Sequence, residues 1–285
     1  MVIAKALSAD HTVTVAETSR RGHATRLAQD AARGFSDVVV VLGGDGTLNE
    51  AANGVVGSET ALAILPGGST NVFARTIGVV DDPVEATGQL VAALAARSLR
   101  RVGVGMVNGR YFLFHVGMGF DAAVVAQVER RATFKRYASH PLFVYSAFST
   151  WFSHYDHSRP RFSVHHADGT VIDDGYLGIC LNSNPYTYLG SRPLDLAPEA
   201  SLTGSMAMVT VRTLDLGPLL SIAASALGAG HRLRRHRRVD YRPGVEKMTV
   251  RGHGPFPYQV DGDYLGDIEH LAITHQADAL TIVSP

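Results

Sequence analysis

The sequence predicts an α/β domain followed by a mostly antiparallel β domain. Up to about residue 100, short apolar β-branched runs alternate with alanine-rich helical stretches, the pattern of a parallel sheet covered by helices. After that point, short runs separated by Asn-Gly and Asp-Gly turns indicate antiparallel strands. We therefore expect a three-layer α/β domain over 1–99, rejoined by a segment near 276–285, and a β-sandwich with helical insertions over 100–275.

The elements follow from apolar periodicity and turn residues. In the first half, we predict strands at 12–15, 37–42 and 61–65 and helices at 23–33, 48–55 and 83–97. In the second half, we predict strands at 101–107, 111–116, 162–166 and 177–181 and helical insertions at 122–152 and 218–227. The closing run, 279–283, is a strand that could lie in either domain. The aromatic stretch at 142–152 fits a core better than an acyl-chain cavity.

Composition excludes several classes of protein. Lys and Arg total 26 and Asp and Glu total 26, which gives no reason to expect a nucleic-acid partner. Cys180 is the one cysteine, so no internal disulfide can form. The longest apolar helical run is shorter than the ~20 residues of a membrane span, and the opening residues are too quickly polar for a secretory signal. We expect a cytoplasmic protein; its oligomeric state, a homodimer included, stays open.

A glycine loop stands between a buried strand and a helix. It reads Gly43-Gly44-Asp45-Gly46-Thr47. Glycines let the backbone approach closely, and a helix N-terminus offers N–H groups to an anion, which predicts a phosphate site. Thr47 can contact phosphate oxygens, and Asp45 can hold Mg²⁺ against a nucleotide. A tight turn would explain the glycines but not the acidic residue between them.

The longer string Gly43-Gly44-Asp45-Gly46-Thr47-Leu48-Asn49-Glu50 resembles the nucleotide loop of the diacylglycerol kinase catalytic domain, which sphingosine-type lipid kinases share. The related NAD kinases have the shorter Gly-Gly-Asp-Gly-Thr. The resemblance implies ATP and Mg²⁺ as cofactors, with the metal held through Asp45. The implied nucleotide-binding residues in this loop are Gly43, Gly44, Asp45, Gly46, Thr47, Asn49 and Glu50.

A second loop, one strand later, is similar to the family's Pro-x-Gly-Thr-x-Asn-Asp-Phe-Ala-Arg. It reads Pro66-Gly67-Gly68-Ser69-Thr70-Asn71-Val72-Phe73-Ala74-Arg75. The resemblance adds Gly68, Ser69 and Asn71 to the nucleotide-binding residues. Val72 replaces the usual Asp and removes a carboxylate. Asn71 alone would be interpreted as an N-cap.

A third, short match lies upstream, where Thr18-Ser19-Arg20-Arg21-Gly22-His23-Ala24 resembles the family's Thr-x-x-x-Gly-Asp-Ala. In the family this Thr contacts ATP, which implies the same for Thr18. An equally good interpretation is that Thr18 only starts the following helix.

The catalytic carboxylate is implied near the end of the chain, where Val260-Asp261-Gly262-Asp263 resembles the family's Val-Asp-Gly-Glu. Phosphoryl transfer to a hydroxyl needs a positioned base. By resemblance, Asp263 is that base and Asp261 its partner. Taken alone, Asp-Gly between short strands would indicate only a hairpin turn.

Two features depart from the family. Its members open with a strand ending in Asn-Pro-x-Ser/Ala-Gly, whereas this chain begins in what should be the next helix, so we expect the first sheet strand to be missing. At 197–205, the family's Pro-Asp-Ala-x-Leu-Asp-Asp-Gly supplies a structural magnesium site. Thr203 and Gly204 carry no carboxylate there, so we expect this second metal site to be absent.

A dense basic run spans 231–238. It is either a solvated loop or a contact for anionic lipid headgroups at the inner membrane surface, through Arg232, Arg234, Arg235, Arg237 and Arg238. Together, the loops predict an ATP-dependent kinase with its cleft between the domains. It would phosphorylate a lipid hydroxyl, with diacylglycerol giving phosphatidic acid. The alternatives are a sphingoid or other lipid kinase, an NAD kinase-like enzyme and a catalytically impaired lipid-binding homologue.

Overall fold

The computed structural model describes residues 2–130, 149, 155–227 and 233–285. The chain divides into two compact units, residues 1–102 with 278–285, and residues 103–277. The first is α/β and the second is rich in β-strands, so the predicted fold class is confirmed. Two strands, β3 and β14, continue from one unit into the other.

The first unit is built on a parallel sheet. Its elements are α1 (Val2–Leu7), α2 (His23–Arg33), β1 (Val38–Gly43), α3 (Asp45–Val55), β2 (Ala61–Pro66), α4 (Val72–Thr76) and α5 (Pro83–Ala95). Strands β1 and β2 pair in parallel, with Gly43 opposite Pro66. The end of β14 (Asp263–Val283) joins the other side of β2, where Ile282 pairs with Leu62. Every residue of β2 is buried.

Two predictions for this unit were wrong. Residues 12–15 form no strand, and Val15 is 70% exposed, because the alternating pattern there has no sheet to pack against. Helix α3 begins at Asp45 rather than at residue 48, so the glycine loop is a sharp turn and not an extended loop. Helices α2 and α3 pack closely at Gly54, where a Cβ would lie 2.6 Å from the Cβ of Ala28.

The second unit contains the remaining elements. The strands are β3 (Leu99–Val107), β4 (Arg110–Phe112), β5 (His115–Gly119), β6 (Phe162–His166), β7 (Val171–Gly175), β8 (Leu177–Leu181), β9 (Thr187–Leu189), β10 (Arg192–Leu194), β11 (Met206–Val211), β12 (Val239–Val245) and β13 (Lys247–Val260). The helices whose full bounds fall on described residues are α6 (Phe120–Arg130), α7 (Leu216–Leu227) and a 3₁₀ turn (Leu233–Arg235).

Its sheet is antiparallel and carries a core on each face. Strand β13 pairs with β14, β5 and β6, and the order continues through β8 and β11 to β12. Because side chains alternate along a strand, Cys180 and Met208 join one core while Ile179 and Val209 join the other.

Several predicted features fall partly on undescribed positions. Of the insertion predicted at 122–152, the described part forms α6. Apart from residue 149, the aromatic stretch at 142–152 lies outside the described residues, as does Arg232. Among the helices that the structure describes, none is long and apolar enough to span a membrane.

Candidate active site

The two glycine loops lie side by side in the first unit. Strands β1 and β2 are adjacent and parallel, so their carboxyl ends, Gly43 and Pro66, meet at one edge of the sheet. The N–H of Gly67 donates to the carbonyl of Gly43 at 3.0 Å. A Cβ on Gly68 would lie 2.6 Å from the Cα of Gly44, closer than real Cβ atoms approach. The glycines are therefore required by backbone contact between the loops.

Helix α3 begins within the first loop. Gly44 occupies the N-cap position in an extended conformation, and Asp45 is the first helical residue. The first N–H groups of a helix have no intrahelical acceptor, and the helix dipole favours an anion there. The amides of Gly46 and Thr47 therefore lie in a helix N-terminus, which is a type of site that can bind an anion. Thr47 packs against Gly43, where a Cβ would lie 3.1 Å from the Cβ of Thr47.

The carboxylate of Asp45 ties the first loop to the second. Its two oxygens accept the backbone N–H groups of Val72 at 2.9 Å and Phe73 at 3.1 Å, which open helix α4. Burial raises the pKa of Asp45, these two hydrogen bonds oppose the increase, and the charge of Asp81 adds to it. The Asp45 side chain, which the sequence predicts to hold a metal, thus also caps helix α4.

Asn71 closes the second loop on itself. Its Oδ1 accepts the N–H of Gly68 at 2.8 Å, and its Nδ2 donates to the carbonyl of Gly68 at 3.1 Å and to Asp81 Oδ1 at 2.7 Å. Asn71 is the N-cap residue of α4, as the N-cap interpretation has it, but its side chain makes no cap hydrogen bond. Ser69 is exposed on this loop.

Asp81 is a site residue that the sequence did not reveal. Its carboxylate contacts Asn71 in the second loop, where Val72 stands in place of the family's Asp. The available signal was the string Asp81-Asp82-Pro83. Asp82 caps α5 by accepting the N–H groups of Val84 and Glu85, both at 2.9 Å, which leaves Asp81 for another role.

Two carboxylates, Asp45 and Asp81, belong to these loops, and both oxygens of Asp45 already accept backbone N–H groups. Burial is the main cause of the raised pKa of Asp45, and the charge of Asp81 adds to it. Mg²⁺ typically takes one or two carboxylates together with substrate phosphates. Within the described residues, no group of three or more His, Cys, Asp or Glu is arranged to hold a metal by itself.

Three other predicted nucleotide residues have different surroundings. The carboxylate of Glu50 accepts the N–H groups of Gly22 at 2.8 Å and Ala24 at 3.1 Å, which fixes the start of α2. Asn49 is buried, and its carbonyl accepts Asn53 Nδ2 at 2.9 Å. Thr18 is exposed in the irregular segment before α2. Glu50 and Asn49 therefore support the frame of the loop.

The carboxylate turn lies in the second unit, at the hairpin that joins β13 to β14. Asp261 and Gly262 have φ values of 48° and 82°, and Val260 pairs with Asp263. Positive φ at both central residues is typical of the two-residue Asp-Gly hairpin. The hairpin interpretation is thus confirmed, and it is compatible with a functional turn.

The two aspartates of this turn differ in environment. Asp261 is buried, and its carboxylate accepts the N–H groups of Leu113, Phe114 and His115 at 2.7, 3.0 and 3.0 Å. The side chain of Asp263 is 22% exposed and lies 3.3 Å from Arg110 Nη2. Asp261 holds the turn in place, whereas Asp263 is the more exposed of the two carboxylates.

The segment at 197–205, expected to lack a second metal site, forms a turn. The N–H of Gly204 donates to the carbonyl of Ser201 at 3.0 Å. The absence of that metal site stays a prediction.

Comparisons with known proteins agree with the loops. Residues 2–107 match the family model of the diacylglycerol kinase catalytic domain. The chain is 34% identical over 121 residues to a protein named diacylglycerol kinase from Bacillus subtilis (strain 168), covering 41% of this chain and 39% of that protein. It is 38% identical over 126 residues to a Chromohalobacter salexigens protein that bears the name of a YegS-like lipid kinase, covering 43% and 39%. The resemblance is thus confirmed.

Solved structures extend the likeness to nearly the whole chain. A crystal structure titled as a diacylglycerol kinase from Bacillus anthracis str. Sterne matches with a TM-score of 0.66 at 19% identity, covering 98% of this chain and 88% of that one. Another structure from the same organism gives 0.74 at 21% identity, covering 98% and 89%. At these identities the likeness shows the fold. The sequence matches span about two fifths of the length of the curated relatives.

Proposed function

We propose that this protein transfers the γ-phosphoryl group of ATP to a lipid hydroxyl, with diacylglycerol as the substrate and phosphatidic acid as the product. The observation that carries the proposal is the pair of glycine loops joined by Asp45, in a segment that matches the diacylglycerol kinase catalytic domain. The names of the relatives support a lipid as the acceptor.

Unit 1 would bind the nucleotide. Backbone N–H groups at the start of α3 hold phosphate oxygens, since the first N–H groups of a helix have no intrahelical acceptor. Asp45 and Asp81 would hold Mg²⁺, which neutralises charge on the phosphates when it is bound. These two carboxylates also keep the loops in register.

Unit 2 would supply the base. The carboxylate of Asp263 accepts the proton of the lipid hydroxyl while the hydroxyl oxygen bonds to the γ-phosphorus. The bond from the γ-phosphorus to the β–γ bridging oxygen breaks, and ADP leaves. Arg110 Nη2 lies 3.3 Å from Asp263 Oδ2 and so fixes the position of this carboxylate.

A substrate panel tests the proposal. Purified protein with Mg²⁺ and γ-³²P-ATP is offered diacylglycerol, sphingosine and NAD in separate reactions with mixed micelles. Labelled phosphatidic acid supports the proposal. Transfer to sphingosine or NAD alone would identify a different kinase, and ATP binding without any transfer would indicate a lipid-binding homologue.

We further propose that the second unit contacts an anionic membrane surface. The side chains of Arg235, Arg237 and Arg238 are exposed, whereas Arg234 pairs with Glu199 and lies 5.4 Å from the ring centroid of Tyr241. Helix α7 carries no charged residue and exposes Leu216 by 41% and Leu220 by 53%. Exposed arginines together with exposed leucines are the combination that favours an anionic lipid interface.

A further inference from the structure

A buried polar chain lies beneath the Asp261–Gly262 turn in the second unit. Asp121, in α6, is 6% exposed. Its Oδ1 accepts the hydroxyl of Tyr186 at 2.6 Å, and its Oδ2 accepts Nε2 of Gln259 at 2.9 Å. Burial raises the pKa of Asp121, and both hydrogen bonds oppose the increase. A carboxylate in such a place costs folding free energy unless its partners are fixed.

Gln259 connects this chain to the turn. It is fully buried, and its Oε1 accepts the N–H of Gly262 at 2.9 Å. An amide has one acceptor end and one donor end. Because Asp121 takes the donor end, the acceptor end is turned toward Gly262. Asp121 therefore selects the orientation in which Gln259 can hold the turn.

The backbone opposite is shaped to admit this contact. Gly117, in β5, pairs with Gln259 across the sheet. A Cβ on Gly117 would lie 1.7 Å from Asp121 Oδ2 and 2.3 Å from Gln259 Nε2. Any side chain at this position would displace the carboxylate or the amide.

Other contacts fix the rest of the turn. The carboxylate of Asp261 accepts three backbone N–H groups at Leu113, Phe114 and His115. The N–H of Tyr264 donates to Glu129 Oε1 at 3.0 Å. Asp263 is thus flanked on both sides by backbone amides that side chains hold. For a short carboxylate, one methylene shorter than Glu, such backbone placement decides its reach.

We infer that Gln259, oriented by Asp121 and Tyr186, is a positioning residue for the catalytic turn, and that it acts on phosphoryl transfer through Asp263. This inference rests on the proposed function, in which Asp263 is the base. The chain of hydrogen bonds ends on a backbone amide, which does not titrate, so it orients the turn and does not carry a proton.

Gln259→Met tests the inference, because Met keeps the volume of the side chain and loses both hydrogen bonds. A misplacement of about 1 Å costs roughly 100-fold in rate, so we expect kcat to fall by about 10- to 100-fold. The KM for ATP stays unchanged, because the nucleotide loops belong to the other unit. Hydrogen exchange of the peptide containing Gly262 accelerates. Gln127→Met, at another buried glutamine of this unit, keeps wild-type kcat and exchange.

Two further comparisons separate positioning from packing. Asp121→Asn retains an oxygen for Gln259 and keeps most of the activity, whereas Asp121→Leu does not. Tyr186→Phe removes only the hydrogen bond from Tyr186 to Asp121 and is expected to lower kcat by a few fold. This variant keeps the inference testable if Gln259→Met does not fold. Adding Tyr186→Phe to Asp263→Asn lowers the residual rate no further, since both act through one carboxylate.

Wild-type kcat and wild-type Gly262 exchange in Gln259→Met and Tyr186→Phe would overturn the inference. Accelerated exchange with unchanged kcat would overturn it as well, because the turn would then move without consequence for the reaction. An Asp263→Asn variant with full activity would instead overturn the proposed base, and the positioning role with it, whatever the exchange shows.

Discussion

The carboxylate of Asp45 accepts the backbone N–H of Val72 at 2.9 Å, and this contact joins the two glycine loops. Val72 stands where the family's second loop usually has an Asp, and it is held by its backbone N–H group. Asp45 caps α4 with its carboxylate and is itself the first residue of α3. The geometry of the loops and the binding of phosphate are therefore expected to depend on each other. Changes at Asp45 are expected to alter both.

Replacement of Asp45 tests this coupling. In Asp45→Ala, the N–H groups of Val72 and Phe73 lose their acceptor, and loss of a cap costs about 1–2 kcal/mol. We expect a lower free energy of unfolding in urea and weaker ATP binding by calorimetry. The exposed carboxylate of Asp37 provides a matched control, so Asp37→Ala should match wild type. Equal stability of Asp45→Ala and wild type would contradict the capping role.

The close contact between the loops predicts the effect of adding a methyl group. In Gly68→Ala, the new Cβ would lie 2.6 Å from the Cα of Gly44, so the loops must separate. We expect lost nucleotide affinity together with lower stability. Gly88 has open space around its Cβ position within α5, and Gly88→Ala should stabilise by about 0.5–1 kcal/mol without changing ATP binding. Wild-type ATP affinity in Gly68→Ala would show that the close backbone contact between Gly68 and Gly44 is not required for nucleotide binding.

The buried ring of His115 predicts an acid-sensitive fold. Burial lowers the pKa of His115 from 6.5 to about 3. Between these values the unfolded chain binds the proton and the folded chain does not, so the stabilising contribution is complete above pH 6.5 and is lost as the pH falls toward 3. The free energy of unfolding should fall by at most about 1.4 kcal/mol per pH unit in this window.

His115→Phe keeps a ring beside Tyr186 and should flatten this pH dependence. His270→Phe, at an exposed position, serves as the control and should leave the slope as it is in wild type. Urea unfolding at a series of pH values measures both. An unchanged slope in His115→Phe would show that another group causes the acid sensitivity.

The proposed membrane contact predicts a charge-dependent association. Wild-type protein should sediment with vesicles that contain phosphatidylglycerol and should stay in solution with pure phosphatidylcholine. Replacement of Arg235, Arg237 and Arg238 by Gln should weaken sedimentation, with each arginine contributing about 1 kcal/mol near the surface. The exposed Arg251→Gln variant controls for charge elsewhere in the unit. Equal sedimentation with both lipids would exclude an electrostatic contact.

Local sequence patterns predicted much of the fold. The runs at 37–42 and 61–65 are both strands, as their apolar character predicts, but only β2 is buried throughout, whereas Leu42 in β1 is 56% exposed. The run at 12–15 alternates Thr and Val, which also favours a strand, but it has no partner strand among the described residues, and no local signal reports this. Residues 12–15 form no strand because no distant element that the structure describes packs against them, whatever their local pattern.

The loops were identifiable from the sequence, but the contacts that hold them were not. Val72 lies 27 residues from Asp45, and Gln259 lies 138 residues from Asp121. Residue type does not distinguish a carboxylate that binds a ligand from one that caps a helix. Asp261 and Asp263 show this, because only tertiary contacts make the first buried and the second accessible.

The most direct test of the central claim is the rate of γ-phosphoryl transfer to diacylglycerol by Asp263→Asn. We expect this variant to bind ATP and unfold as wild type does, and to lose phosphatidic acid formation by at least about 100-fold, the range of a general base. Asp173→Asn, at an exposed carboxylate of the same unit, should retain full activity. Wild-type phosphatidic acid formation by Asp263→Asn would contradict the account.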